Sequence, residues 1–162
     1  MPNWCNNIVQ FTGEPQKLEE LNQLFEAMAV REKETHEAQL PSFVKAEQGY
    51  LFDTYLDSGT LYYDTRWSPN TDIIVQIADH YQVDFLHQYS ELAMGVFGEA
   101  TYEAGVLKET YLDFEDLNQY EYDEEKDCYT FEGNLFESDM EILETLLERK
   151  KEQQGNPPGL KR

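Results

Sequence analysis

The sequence predicts an α+β protein, and three observations lead to that class. Short runs rich in β-branched and aromatic residues, such as residues 3–12, alternate with amphipathic helical patterns, such as residues 15–34. Glycine, proline and asparagine separate most of these segments. Aromatic residues make up 14% of the 162 residues, which indicates a packed core, because disordered acidic chains are poor in aromatic residues.

The first strand and the first helix are clearly delimited. Ile8, Val9 and Phe11 favour a strand over residues 3–12, which ends at Gly13. A helix is predicted from residue 15 to about residue 34, because Pro15 suits a first helical turn. One face of this helix is apolar and should enter the core: Leu18, Leu21, Leu24, Phe25 and Met28.

The next segment is less regular. Residues 34–48 contain Pro41 and have little periodicity, so we expect a connecting loop. Strands are predicted at 50–56 and 60–67, with a turn at 57–59 between them.

A second helix is predicted after Ser68 and Pro69. Asn70 or Thr71 is the candidate N-cap, and the helix should run to about Gln82. Further strands are then predicted at 83–89, at 94–102 and, after a turn at 103–105, from Val106 onward. The order strand, helix, strand, strand, helix, strand is that of a split βαβ, ferredoxin-like fold.

The last third of the chain predicts a hairpin and a helix. Tyr120 and Tyr122 face Tyr129 and Phe131 across a turn at 123–127. A capping box at Ser138-x-x-Glu141 predicts the start of the last helix. The apolar side of that helix is expected to comprise Met140, Leu143, Leu146 and Leu147.

These elements predict a single domain over residues 1–152. It would consist of a ferredoxin-like core at 1–112 and an acidic extension at 113–152 that carries the strand hairpin and the helix. Residues 153–162, which contain glycine and two prolines, are expected to form a disordered tail.

The charge of the chain restricts its partners. There are 33 Asp and Glu residues against 12 Lys and Arg residues, which gives a formal net charge of −21. Direct binding to nucleic acid or to an anionic membrane is therefore disfavoured, whereas a basic protein is attracted. Copies of the chain repel one another, so we expect a monomer or a weak dimer.

No residue pattern indicates catalysis, a metal or a cofactor. The cysteines and histidines are too scattered for a zinc site, and Cys5 has no neighbouring cation to stabilise a thiolate. We therefore expect two free thiols, a buried Cys5 and surface histidines. The N-terminus lacks the pattern of a signal peptide, and no apolar run is long enough to span a bilayer, so a cytoplasmic location is predicted.

The segment 109–144 is the most distinctive part of the sequence, with fourteen acidic side chains and one basic side chain, Lys126. Carboxylates spaced along strands can imitate phosphates, and tyrosines are favoured at interfaces. The alternative interpretation is a solvated charged face whose tyrosines line a core. The predicted partner-binding residues are Asp113, Glu115, Asp116, Tyr120, Glu121, Tyr122, Asp123, Glu124, Glu125, Asp127 and Tyr129.

Three sequence stretches carry a family resemblance: MPNWCNN at the start, YYDTRWSPNTDIIVQIADHY, and YSELAMGVFGEATYEAG. Together they resemble the YubB-like family of plasmid and phage proteins. The resemblance implies a ferredoxin-like domain and an origin in a mobile genetic element, but no activity. The motif residues, which we interpret as structural, are Asn3, Trp4, Cys5, Asn6, Thr65, Trp67, Pro69, Glu91 and Gly98.

Three functions stay open at this point. The favoured one is a non-enzymatic protein that binds and inhibits a basic, nucleic-acid-handling host defence protein by mimicking nucleic acid. The second is a small enzyme or ligand-binding domain with a pocket near Trp4 and Trp67, in which Asp64 and Glu91 would be the candidate acids. The third is a homo-oligomeric assembly protein. Trp4 and Trp67 themselves are expected to pack together across neighbouring strands.

Overall fold

A computed structural model of the protein describes residues 2–155. The chain divides into two compact units, with unit 1 ending at Glu109 and unit 2 beginning at Thr110. This division lies three residues before the boundary of 112/113 at which the sequence separates the predicted core from the acidic extension.

Unit 1 contains a sheet and two helices. Its elements are β1 (Trp4–Thr12), α1 (Pro15–Thr35), β2 (Phe52–Asp57), β3 (Thr60–Arg66), α2 (Thr71–Tyr81), β4 (Asp84–Glu91), β5 (Val96–Glu103) and β6 (Val106–Tyr111). A 3₁₀ turn at Leu92–Met94 connects β4 to β5. The last two residues of β6 belong to unit 2.

The strand order confirms the ferredoxin-like prediction. The sheet runs β2-β3-β1-β4-β5-β6. The pairs β1·β3, β1·β4, β2·β3 and β4·β5 are all antiparallel. Because α1 carries the chain past the position beside β1, β3 can occupy that position, which is the arrangement of a split βαβ unit.

Two hairpin turns are tight because their residues adopt positive φ. Ser58 and Gly59 have φ of 52° and 82°, and Ala104 and Gly105 have φ of 49° and 80°. Two successive residues with positive φ match the right-handed twist of the flanking strands. Both turns lie where the sequence predicts them.

The core of unit 1 lies between the helices and one face of the sheet. Strand residues that alternate along the chain, such as Val9, Leu61 and Phe85, point into it. In α1 the predicted face is buried at Leu21, Phe25 and Met28, while Leu18 and Leu24 are partly buried. The burial of α2 involves Ile73, Ile74, Ile77 and Ala78.

Unit 2 contains a second, smaller sheet and two helices. Its elements are α3 (Phe114–Leu117), β7 (Glu121–Asp123), β8 (Cys128–Phe131), β9 (Asn134–Phe136) and α4 (Met140–Gly155). The predicted hairpin is present, because β7 and β8 pair with Tyr122 opposite Tyr129. The third strand, β9, was not predicted; it is only three residues long, too short for an alternating pattern to show.

The last helix differs from its prediction at both ends. Ser138 Oγ accepts the N–H of Met140 at 3.1 Å, but Met140 itself is exposed rather than part of the core. Leu143, Leu146 and Leu147 are buried as predicted, and Ile142 takes the place of Met140 in the apolar side. Residues 153–155, expected in a disordered tail, are helical, and the hydroxyl of Thr110 donates to Gln154 Oε1 at 2.6 Å. Residues 156–162 of that expected tail lie outside the described residues.

Candidate functional site

Trp67 occupies a strained turn directly after β3. Its φ is 68°, and the N–H of Ser68 donates to the carbonyl of Arg66 at 2.8 Å, which closes a γ-turn around Trp67. The N–H of Trp67 itself donates to the carbonyl of Asn3 at 2.8 Å. A bulky residue with positive φ costs about 1–3 kcal/mol and persists only where its surroundings hold it.

A buried hydrogen-bond chain holds this turn. The amide nitrogen of Asn7, on β1, donates to the carbonyl of Cys5 at 3.0 Å and to Thr65 Oγ1 at 2.9 Å. The hydroxyl of Thr65 then donates to the carbonyl of Ser68 at 2.7 Å. Asn7 and Thr65 are 2% and 1% exposed, so water does not compete for these bonds.

His87, on β4, continues the chain from Asn7 to α2. Its Nε2 lies 2.8 Å from Asn7 Oδ1, and its Nδ1 lies 3.0 Å from Thr71 Oγ1. An amide oxygen can only accept, so Asn7 Oδ1 accepts the hydrogen bond from His87 Nε2. The ring therefore carries its proton on Nε2, and Nδ1 accepts the hydroxyl of Thr71.

Burial lowers the pKa of His87 to about 3, so the folded protein holds a neutral imidazole. The prediction of surface histidines is wrong at this position. The signal was present in the sequence: the period of two in β4 turns His87 to the same side as Phe85 and Tyr89, both buried.

A second chain ties the loop before β2 to the start of α2. The hydroxyl of Tyr63 donates to Asn70 Oδ1 at 2.6 Å, and Asn70 Nδ2 donates to the carbonyl of Gly49 at 2.8 Å. Asn70 holds the N-cap position as predicted, but its side chain makes no cap bond. Gly49 has φ of 89°, and a Cβ there would lie 3.0 Å from Ile73 Cγ1.

These two chains border a cleft of about 800 Å³. Its aromatic lining consists of Tyr50, Phe52 and Trp67. Tyr50 is 42% and Trp67 is 51% exposed, so both rings are open to solvent. The ionisable side chains of its lining are His36, Glu37, Glu47, Arg66 and Asp72.

Phe52 already takes part in two ring contacts. The guanidinium carbon of Arg66 lies 4.8 Å from the centre of its ring. The ring of Trp4 meets it edge-on, with 4.8 Å between centroids. The expectation that Trp4 packs against Trp67 is therefore replaced by a contact between Trp4 and Phe52, because the γ-turn directs Trp67 to the cleft.

The remaining motif residues have local structural roles. Burial raises the pKa of Cys5 to about 11, so its thiol is protonated and packed. Pro69 lines the cleft. Asn6 lies opposite Asp64, and Gly98 opposite Tyr89, in the sheet.

The two candidate acids, Glu91 and Asp64, have different surroundings. Glu91 Oε1 accepts the N–H of Ala93 at 2.8 Å and so caps the 3₁₀ turn after β4. Burial, followed by the charge of Asp53, raises the pKa of Asp64. Neither acid belongs to the lining of the cleft within residues 2–155.

In unit 2, several of the predicted partner-binding residues have structural roles. Asp113 and Asp116 form a reciprocal capping box at α3, and both accept Lys150 Nζ, at 3.4 and 2.6 Å. This capping box was not recognised in the sequence, although its Asp-x-x-Asp spacing resembles the usual pattern. The hydrogen bond of Asp113 to the backbone of Asp116 and the Lys150 charge lower the pKa of Asp113.

The tyrosines of this set form one aromatic cluster. The ring of Tyr129 lies 6.0 Å from that of Tyr120 and 5.2 Å from that of Tyr122. Tyr120 donates to Asp139 at 3.2 Å, and Tyr122 donates to Asp127. Burial and the charge of Asp139 raise the pKa of Tyr120 to about 12.

The hairpin turn leaves its other carboxylates in solvent. Asp123 Oδ1 accepts the N–H groups of Glu125 and Lys126, which fixes the turn. The side chains of Glu121, Glu124 and Glu125 are exposed. Within the described part of the chain, none of these three glutamates forms an ion pair. We call them the hairpin carboxylates.

The cations of α4 form ion pairs with carboxylates of unit 2. Arg149 Nη2 lies 2.8 Å from Glu132, Lys150 Nζ lies 2.6 Å from Asp116, and Lys151 Nζ lies 2.6 Å from Glu148. Over residues 110–155 there are fifteen acidic and four basic side chains. Unit 2 therefore has a large excess of carboxylates over cations.

Residues 2–155 contain no group of three histidine, cysteine or acidic side chains placed to hold a metal ion. Over the same residues, no helix combines the length and the apolar character needed to cross a bilayer.

A model of the family described as the ferredoxin-like domain in Api92-like protein matches residues 45–132. No match is found among curated proteins or among solved structures. The matched range includes the γ-turn, α2 and the β7–β8 hairpin, so it extends into the acidic extension as far as residue 132. Because the match covers just over half of the 162 residues, the chain belongs to this family of ferredoxin-like domains of Api92-like proteins.

Proposed function

We propose that the protein is a non-enzymatic binding protein, and that unit 2 binds a basic protein partner. The observation that carries this proposal is the excess of carboxylates in unit 2, where the cations of α4 are engaged by other residues of the unit. The hairpin carboxylates stand in solvent beside the exposed ring of Tyr122. Carboxylates with an aromatic anchor suit an interface that is steered by charge.

The partner class follows from the same charge. A protein that handles nucleic acid presents cations to phosphates, and exposed carboxylates on a hairpin can occupy those cations in place of phosphates. We therefore propose that the partner is a nucleic-acid-binding host protein and that binding competes with nucleic acid. An origin in a plasmid or phage, inhibition of a host defence protein, and action in the bacterial cytoplasm are part of this proposal.

The test is competition in solution. The full chain is immobilised, basic nucleic-acid-binding proteins of a bacterial host are captured at low salt, and duplex DNA is added. Displacement by DNA, together with loss of binding as salt rises, is the expected result. Capture that duplex DNA leaves unchanged contradicts mimicry.

A charge-matched control separates the hairpin from the overall charge. The variant Glu121→Gln/Glu124→Gln/Glu125→Gln removes the hairpin carboxylates, and Glu14→Gln/Glu19→Gln/Glu20→Gln removes three exposed carboxylates of unit 1. We expect the hairpin variant to bind at least about tenfold more weakly and the unit 1 variant to bind within about twofold of the natural chain. Equal losses contradict a specific site on unit 2.

A second candidate function is ligand binding in the cleft of unit 1. The exposed, strained Trp67 favours it, because residues in rare backbone conformations cluster at functional sites. The candidate acids Asp64 and Glu91 do not line this cleft within the described residues, so a binding role is better supported than catalysis. Replacing Trp67 by Ala should abolish binding of such a ligand without changing capture of a basic protein by unit 2.

A further inference from the structure

We propose that the cleft of unit 1 binds a guanidinium group, presented as an arginine side chain of a peptide. This site lies wholly within unit 1 and is separate from the acidic surface of unit 2 on which the main proposed function rests. It deepens the second candidate function by naming the class of ligand.

The first argument is that the cleft is held in shape before a ligand arrives. The backbone of Trp67 is held by two hydrogen bonds of 2.8 Å, one that closes its γ-turn and one from its own N–H to the carbonyl of Asn3. The opposite border is fixed where Asn70 Nδ2 donates to the carbonyl of Gly49. Because the backbone is already held at these two borders, its ordering there adds no entropic cost to binding.

The second argument is the charge of the lining, which selects a cation. Glu37, Glu47 and Asp72 line the cleft, and none of them forms an ion pair in the part of the chain that the structure describes. Against these three carboxylates stand His36 and Arg66, whose guanidinium is already placed over the ring of Phe52, so the carboxylates outnumber the basic groups by three to two. The lining is therefore net negative, and the chain as a whole carries −21, so an anion is repelled and a cation attracted.

The third argument is the chemistry of the rings. Tyr50 and Trp67 both line the cleft and are 42% and 51% exposed, and tryptophan is the best aromatic partner for a cation. The contact between Arg66 and Phe52, at 4.8 Å, shows a guanidinium on a ring of this lining. A planar guanidinium stacks on a ring while its N–H groups reach carboxylates, which a compact ammonium does less well.

The experiment uses Trp67 as its own reporter. The chain contains two tryptophans, so the variant Trp4→Phe leaves Trp67 as the single indole. Its fluorescence is titrated with three probes: a short peptide with one arginine, the same peptide with citrulline, and free arginine amide. Citrulline keeps the shape of the side chain and removes the charge.

We expect a saturable change in emission with the arginine peptide and about tenfold weaker binding of the citrulline peptide. Equal binding of both peptides, or the absence of saturation, overturns the proposal. Weaker binding of arginine amide than of the peptide supports peptide presentation, whereas equal binding overturns that part of the proposal.

Variants locate the site and separate it from unit 2. Glu47 is an exposed loop residue, so Glu47→Gln should not affect folding, and we expect it to weaken binding of the arginine peptide several-fold. Trp67→Ala should abolish peptide binding measured by calorimetry. Loss of the hairpin carboxylates, by Glu121→Gln/Glu124→Gln/Glu125→Gln, should leave peptide affinity within about twofold. If that variant loses as much peptide affinity as Glu47→Gln, the peptide is attracted by the overall charge, and the proposed site is overturned. This conclusion does not depend on the outcome for the basic partner of unit 2.

Discussion

Unit 1 and unit 2 use polar side chains in opposite ways. In unit 1 a chain of buried groups, Asn7, Thr65 and His87, is satisfied internally and supports a strained turn. Unit 2 instead carries fifteen carboxylates over residues 110–155, and its ion pair between Glu132 and Arg149 is solvated, since these side chains are 53% and 48% exposed.

The difference teaches where polar groups affect stability and where they affect binding. A buried, fully paired network is costly to interrupt, because each orphaned group keeps its desolvation penalty. Solvated ion pairs contribute little, so their charges remain available for a partner. Stability should therefore be sensitive in unit 1 and insensitive on the surface of unit 2.

The largest expected effect is the pH dependence that His87 gives to unit 1. Its pKa is about 3 in the folded chain and near 6.5 when unfolded, so the unfolded state takes up the proton first as pH falls. The contribution of the neutral ring is complete above pH 6.5 and is lost as pH falls toward 3. Between pH 6.5 and pH 4 the loss should be about 3 kcal/mol.

Urea unfolding of the natural chain and of His87→Gln across this pH range measures the effect. Carboxylates titrate in both proteins, so the difference between the two curves isolates the imidazole. If stability depends on pH in the same way in both proteins, His87 does not cause the pH dependence, and the comparison between the units is weakened.

The second effect is the loss of the amide at the centre of the network. Asn7→Ala removes the acceptor of His87 Nε2 and two donated bonds, so we expect a loss of about 2 kcal/mol in the free energy of unfolding. Asn6→Ala, on the exposed side of the same strand, is the control and should change stability by less than about 0.5 kcal/mol. Equal effects at the two positions would contradict a special role for the buried chain.

The fold of unit 1 was predictable because it depends on periodicity and turn chemistry. The apolar spacing of α1 and the Asp-Ser-Gly turn before β3 each determine a local structure that the whole sheet then uses. The topology follows from the order of these elements, since few arrangements accommodate a split βαβ unit.

The cleft was less predictable, because it depends on contacts between distant residues. Asn70 has the residue type and position of a helix cap, but Tyr63 and Gly49 provide partners for its side chain that no local pattern reveals. Likewise, Trp67 adopts positive φ because Asn3 and Thr65 hold the turn, and its identity alone predicts the opposite. Composition alone identified the acidic residues of unit 2. It could not show which carboxylates are structural and which are solvated, because that depends on where the cations of α4 lie.

A smaller effect is expected at the best-shielded ion pair of unit 2. Lys150 is 24% exposed and Asp116 is 19% exposed. Burial lowers the pKa of Lys150, but the hydrogen bonds and charges of Asp116 and Asp113 together raise it above its usual range. Lys150→Met should lower the free energy of unfolding by less than about 1 kcal/mol, because the apolar stem is retained. Thermal unfolding beside Lys151→Met, whose partner Glu148 is more exposed, measures the difference; a loss as large as that of Asn7→Ala would contradict it.

The smallest effect is expected for Glu132→Gln, which tests whether a well-shaped surface pair matters at all. Arg149 donates two hydrogen bonds to this carboxylate, at 3.0 and 2.8 Å, and they lower the pKa of Glu132. A lowered carboxylate pKa stabilises the fold above the ordinary pKa, and the benefit disappears as pH falls through the folded value. Both groups are solvated, and Arg149 keeps its position over the ring of Phe131, so no resolvable change in the unfolding midpoint is expected at pH 7. Unfolding midpoints are measured at low and at high salt, and those of the variant and of the natural chain should coincide at each salt concentration. A midpoint that is lower for the variant at low salt only would show that surface pairs stabilise unit 2. The charges of unit 2 would then not be wholly available for a partner.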